Sequence, residues 1–163
     1  MKNLVSIFAG HDASVSFWNA ETNKYYTIEI ERLVRKRYFR LHVDNSKEEQ
    51  YNILKQCQII AEKNWGVKND FEKVLMCSDG FIQVDPREIF NTQKITTVAR
   101  HHHCHAASSF YQSPFSQALI LSYDGGGDDG FFNVYVGNET GVKHIKKIDC
   151  DFGGGYLLAG STV

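Results

Sequence analysis

The sequence predicts an α/β fold in which a mixed sheet is flanked by helices, and three observations carry that expectation. The opening 30 residues hold three short runs of β-favouring residues separated by small polar turns. Residues 46–66 then carry apolar side chains at helical rather than strand spacing. Beyond them, short apolar runs stop abruptly at polar or glycine-rich segments, as buried strands do when their ends carry chemistry.

The chain has 163 residues, 42% hydrophobic and 23% charged, which is the size and composition of an ordinary globular domain. No apolar run approaches the roughly 18 residues needed to span a bilayer, so no membrane role is expected. Residues 1–10 carry one basic residue and a short apolar run, but Asp12 follows at once, which suits a strand better than a signal peptide. Cys57, Cys77, Cys104 and Cys150 are far apart, and three of them sit in apolar surroundings. A disulfide framework is therefore not expected, and a cytoplasmic location is. A formal net charge of −1 gives no general pull toward nucleic acid.

Taken in order, residues 4–9 form a first strand ending at Gly10-His11-Asp12, and residues 13–18 alternate small or polar side chains with Val15 and Phe17 as a second. After a turn at residues 21–24, Tyr25, Tyr26, Thr27, Ile28 and Ile30 make a third, completing an antiparallel meander. Residues 32–40 follow with five of the eighteen Lys and Arg residues interleaved with aromatics, read either as a solvated hairpin edge or loop or as an anion-binding segment. Ser46-Lys47-Glu48-Glu49 is a capping box opening the clearest helix, whose apolar face is Ile53, Leu54, Cys57, Ile60 and Ala61, and Gly66 ends it.

Residues 74–76 and 95–99 are buried strands, the first leading to Asp79 and the second to a helix over 102–111 that Ser113-Pro114 stops. Residues 118–121 are a further buried strand running into Asp124-Gly125-Gly126-Gly127-Asp128-Asp129-Gly130. Residues 131–136 and 142–148 then form a hairpin. Three antiparallel strands followed by helix, strand, strand–helix and strand is the order of a ribonuclease H-like or actin-like nucleotide-binding lobe. The segment from 124 repeats the opening theme. The expected organisation is thus a first actin-like lobe over 1–123 and the opening hairpin of a second lobe over 124–163. The stretch Asp151-Phe152-Gly153-Gly154-Gly155 reads as a loop leading toward a helix, and the chain is expected to be a fragment.

Chemistry concentrates at the strand ends. His101 and His105 stand at i and i+4, so both imidazoles project from one helix face. With Asp124 after the next strand, and Cys104 as a further possible donor, they make a set suited to zinc or ferrous iron. The plain alternative is a histidine-rich helix start with its polar groups satisfied. His102 and His103 point elsewhere, either behind the ligands or toward substrate. The backbone amides of Gly125–127 suit a phosphate, with a cation to offset the flanking carboxylates. His11 is a titratable group in the first turn, able to act as acid or base near neutral pH.

Five ordered motifs, Gly10-His11-Asp12-Ala13-Ser14, Glu31-Arg32-Leu33-Val34-Arg35, His101-His102-x-x-His105-Ala106-Ala107-Ser108, Ser113-Pro114-Phe115 and Asp124-Gly125-x-Gly127, together resemble the N-terminal part of the O-carbamoyltransferase family. That family includes the nodulation-factor and antibiotic-tailoring enzymes. The resemblance implies an actin-like domain related to the tRNA threonylcarbamoyl transferase and to the hydrogenase-maturation carbamoyltransferase. It further implies a downstream YrdC-like domain of the same polypeptide that makes carbamoyl-adenylate from carbamoyl phosphate and ATP. The actin-like domain then passes the carbamoyl group to the hydroxyl of a small-molecule acceptor.

By position, His101, His105 and Asp124 match metal ligands, with one more aspartate expected downstream, so divalent iron or zinc is expected to be weak or absent in this stretch alone. His11 is the expected catalytic residue, and Asp12, Arg32, Arg35, His102, Gly125 and Gly127 are the expected contacts to substrate or nucleotide. The stretch alone is expected to be inactive. The chain departs from the family pattern at Tyr38, His103, Cys104 and Asp128. Two other readings are a tRNA- or hydrogenase-directed relative and a metal- or nucleotide-binding module without turnover.

Overall fold

The computed structural model describes residues 1–42, 45–77, 82–98, 100–127 and 129–161. Contacts divide the chain into two units, Met1–Val98 and Ala99–Val163. The sequence expectation placed the division at 123/124. The strand Ala118–Tyr123 pairs with the strand after it, and the helix before it packs on the same sheet, which groups both with the second unit.

In the first unit, β1 (Asn3–Phe8), β2 (Ser14–Asn19) and β3 (Lys24–Glu29) form the antiparallel meander. Strands β4 (Phe71–Cys77) and β5 (Ile95–Val98) add parallel to it, giving the order β3-β2-β1-β4-β5. Alternation drives the meander inward on one face, where Val5, Ile7, Val15 and Phe17 are buried. Helix α2 (Lys47–Trp65) lays Leu54, Cys57 and Ala61 into the same core. Both its ends are set by sequence: Ser46 and Glu49 form the reciprocal capping box, and Gly66 closes it with φ 64°. Trp65 stacks on Tyr26 at 4.7 Å and 5° between the rings. Buried amides are satisfied, as in Gln50, which accepts from the Gln83 amide at 2.7 Å and donates to the Asn45 carbonyl at 3.2 Å.

The basic stretch is not a hairpin edge. It opens with the short helix α1 (Ile30–Val34), which Arg35 ends in the left-handed region at φ 57°. The chain then lies across the β1–β2 turn: Ala13 donates to the Phe39 carbonyl at 3.2 Å and Leu41 to the Ala9 carbonyl at 3.0 Å. Phe39 and Leu41 are buried beneath it, which is why their basic neighbours point outward.

In the second unit, β6 (Ala118–Tyr123), β7 (Phe132–Asn138) and β8 (Gly141–Ile148) form an antiparallel sheet in that order. Helix α3 (His101–Tyr111) covers one face, with Ala106 and Phe110 against Ile120 and Tyr135. Gly137 permits this approach, since a Cβ there would lie 2.5 Å from the Phe110 ring. Residues 153–155, expected as loop, instead begin helix α4 (Phe152–Ser161). Asp151 starts it by accepting from the Gly154 amide at 2.7 Å. Gly153 lets the helix approach the backbone of Gly125, for a Cβ would sit 2.7 Å from the Gly125 Cα. Asp79, Ala99 and Asp128, singled out in the sequence, lie outside the described residues.

Candidate metal centre

Within the second unit, the first turns of α3 and the segment after β6 bring His101, His105 and Asp124 together. His101 Nε2 is 3.0 Å from Asp124 Oδ2, His105 Nε2 is 3.0 Å from His101 Nε2, and His105 Nε2 is 3.4 Å from Asp124 Oδ2. Three donors each about 2.1 Å from one ion, at angles of about 90–110°, lie about 3.0–3.4 Å apart. The triangle therefore has the dimensions a single divalent ion requires. Two imidazoles and one carboxylate on one side of an ion suit zinc or ferrous iron and leave positions for substrate. His101 is largely buried, while His105 and Asp124 are open to solvent, so an entry path exists.

Electrostatics favour the charged carboxylate. Burial pushes the Asp124 carboxyl up. Hydrogen bonds from His101 and the Gly125 amide, with the charges of His101 and His105, outweigh it and hold the group below the usual carboxylate range. The ligand set is thus presented deprotonated at its acidic member, as metal binding demands.

Two of the glycines also serve the cluster. The Gly125 amide donates to Asp124 Oδ1 at 2.6 Å and is taken. Gly127 packs on His101, where a Cβ would lie 2.8 Å from the His101 Cβ. His102, expected to touch substrate or nucleotide, is fully buried with both ring nitrogens hydrogen-bonded inside the unit, so it offers no atom to a ligand. Cys104 is half-buried and does not join the cluster among the described residues. Asp129 and Ser122 were missed by the sequence reading. The signal for Ser122 was its place two residues after Ile120 on one strand face.

The remaining sequence candidates belong to the first unit. His11 Nδ1 is 2.9 Å from Asp12 Oδ2 in the β1–β2 turn, both side chains being more than half exposed, with Asp12 at φ 59°. Arg32 is paired with Glu29, whereas exposed Arg35 has no side-chain partner among the described residues. The strap of residues 35–42 brings this basic segment to the His11 turn through the backbone bonds of Ala9 and Ala13.

A family model described as the carbamoyltransferase N-terminus matches residues 29–152. The nodulation protein NolNO of Sinorhizobium fredii is 39% identical over 71 residues, 44% of this chain and 9% of that protein. The matched stretch therefore spans less than a tenth of that relative. A structure from a study of the Aquifex aeolicus PPX-GPPA enzyme superposes with a TM-score of 0.50 at 15% identity, covering 98% of this chain and 55% of that one. At that identity the likeness concerns the fold. Among the described residues no helix is long and apolar enough to cross a membrane.

Proposed function

Because this chain belongs to the carbamoyltransferase N-terminus family, we propose that it forms part of an O-carbamoyltransferase acting on carbamoyl-adenylate and a small-molecule hydroxyl, with an actin-like architecture. The observation that carries the metal-assisted form of this reading is the convergence of His101 Nε2, His105 Nε2 and Asp124 Oδ2. In the reaction the acceptor oxygen bonds to the carbamoyl carbon, the bond from that carbon to the adenylate oxygen breaks, and AMP leaves. A bound divalent ion would supply Lewis-acid polarisation of the carbamoyl group and charge stabilisation at the phosphate.

The chain's own groups divide the rest. His101, His105 and Asp124 would hold the ion. His11 takes the acceptor's proton on Nε2, its Nδ1 being oriented by Asp12. Arg35 and Arg32 attract the anionic part of the donor, Arg35 with its guanidinium uncommitted. Carbamoyl phosphate and ATP enter as substrates of a YrdC-like domain of the same polypeptide, in the cytoplasm.

The test supplies the full-length gene product with carbamoyl phosphate, ATP and a panel of hydroxyl acceptors, and looks for carbamoylated product with AMP. Replacing His101 and His105 together by alanine should abolish product and strip zinc or iron from the purified protein. Unchanged metal content in that variant would refute the ligand assignment. Bound metal with no product across the panel would favour a module without turnover.

A further inference from the structure

His102 lies between the two histidines of the cluster yet faces the other way. Its Nδ1 is 2.8 Å from Ser122 Oγ and its Nε2 2.8 Å from the Gly130 carbonyl oxygen. A carbonyl only accepts, so Nε2 carries a proton toward Gly130, and the Ser122 hydroxyl is the partner of Nδ1. Both ring nitrogens are thereby satisfied within the unit. Its backbone amide donates to Asp129 Oδ1 at 3.1 Å, and Asp129 Oδ2 accepts from the Tyr135 hydroxyl at 3.3 Å. Helix α3 receives no cap from Arg100, the residue before it, so Asp129 supplies the carboxylate at its positive end from across the loop. The segment from Asp124 to Gly130 is consequently tied to α3 twice, by the cluster at one end and by His102 at the other.

We infer that His102, with Asp129, is a positioning residue that holds Asp124 against His101 and His105 before any ion arrives. A preset triangle spares the reorganisation that a loose loop would require on binding. The affinity side of this inference rests on the metal reading above. The geometric side does not.

The experiment compares the purified chain with His102→Leu, which fills the space without hydrogen bonds, and His102→Gln, which keeps an N–H directed toward Gly130. Cobalt(II) titration followed by visible absorption reads affinity, and the ring resonances of His101 and His105 in metal-free protein read position. His102→Leu should weaken cobalt binding by about 10–100-fold and shift both sets of ring resonances, while His102→Gln recovers most of each. Unmoved resonances in a folded His102→Leu protein, or equal losses in the two variants, would overturn the inference. If His102→Leu does not fold, Ser122→Ala removes only the hydroxyl, and it should move the same resonances. Failure to do so overturns the inference as well. Absence of a cobalt spectrum in the unsubstituted chain leaves the metal-free resonances to decide the positioning role, and the metal reading is then decided by the metal content of the full-length gene product.

Discussion

The first unit buries nineteen apolar residues in one cluster, with Asn3, Asn19, Gln50, Gln58 and Thr92 as its buried polar members. The second unit buries four apolar residues, Ala106, Phe110, Ile120 and Tyr135, beside three polar ones, His102, Ser122 and Asn133. Both counts are of the described residues. One unit is shaped by packing and the other by directional bonds around a reactive cluster. Apolar packing tolerates small shifts. A hydrogen-bonded interior fixes position at the cost of being less forgiving when a partner is lost. The polar interior lies beside the three donor atoms that converge from His101, His105 and Asp124, which is where fixed position matters most.

The contrast can be tested by stability. Leu54→Ala removes a fully buried side chain from the larger core and should cost about 2–5 kcal/mol in urea denaturation. Ile120→Ala, in the smaller cluster, should fall at the low end of that range. Equal losses would erase the distinction. A smaller effect is expected from Gly137→Ala, whose new Cβ meets the Phe110 ring. Overpacking there should cost about 1–3 kcal/mol, and a second change, Phe110→Leu, should restore part of it if that contact is responsible.

Smallest is the α2 cap, where Ser46→Ala should cost about 1 kcal/mol. Hydrogen bonds from the Ser46 amide and hydroxyl hold Glu49 below the ordinary carboxylate range. Its contribution is therefore fully present above the unfolded carboxyl value and is lost as pH falls through the lower folded one. The stability gap between the unsubstituted chain and Glu49→Gln should close across that acidic window, and a gap independent of pH would contradict the cap.

Where local chemistry decides, the sequence was readable. Ser46, Glu49 and Gly66 mark both ends of α2, and the i, i+4 spacing of His101 and His105 followed by Asp124 points to the cluster. Helix α1 was missed because its stop is a left-handed arginine rather than a glycine. The start of helix α4 was masked by three glycines, residues that weaken a helix in isolation, of which Gly153 here allows approach to Gly125. For His102 the sequence left two readings open because motif position says nothing of which way a side chain turns on the helix, and its ring is held by Ser122 and Gly130, 20 and 28 residues on.

Strand β6 also has a consequence for how the chain behaves in solution. Among the described residues it pairs on one side only, with β7, and it carries Leu119, Leu121 and Tyr123 at 68%, 55% and 65% exposure. An exposed apolar row beside an edge with open backbone groups is an adhesive surface, the kind most proteins blunt with charge. Light scattering should therefore register growth in particle mass with concentration, and Leu121→Lys, which places an ammonium on that edge, should suppress it.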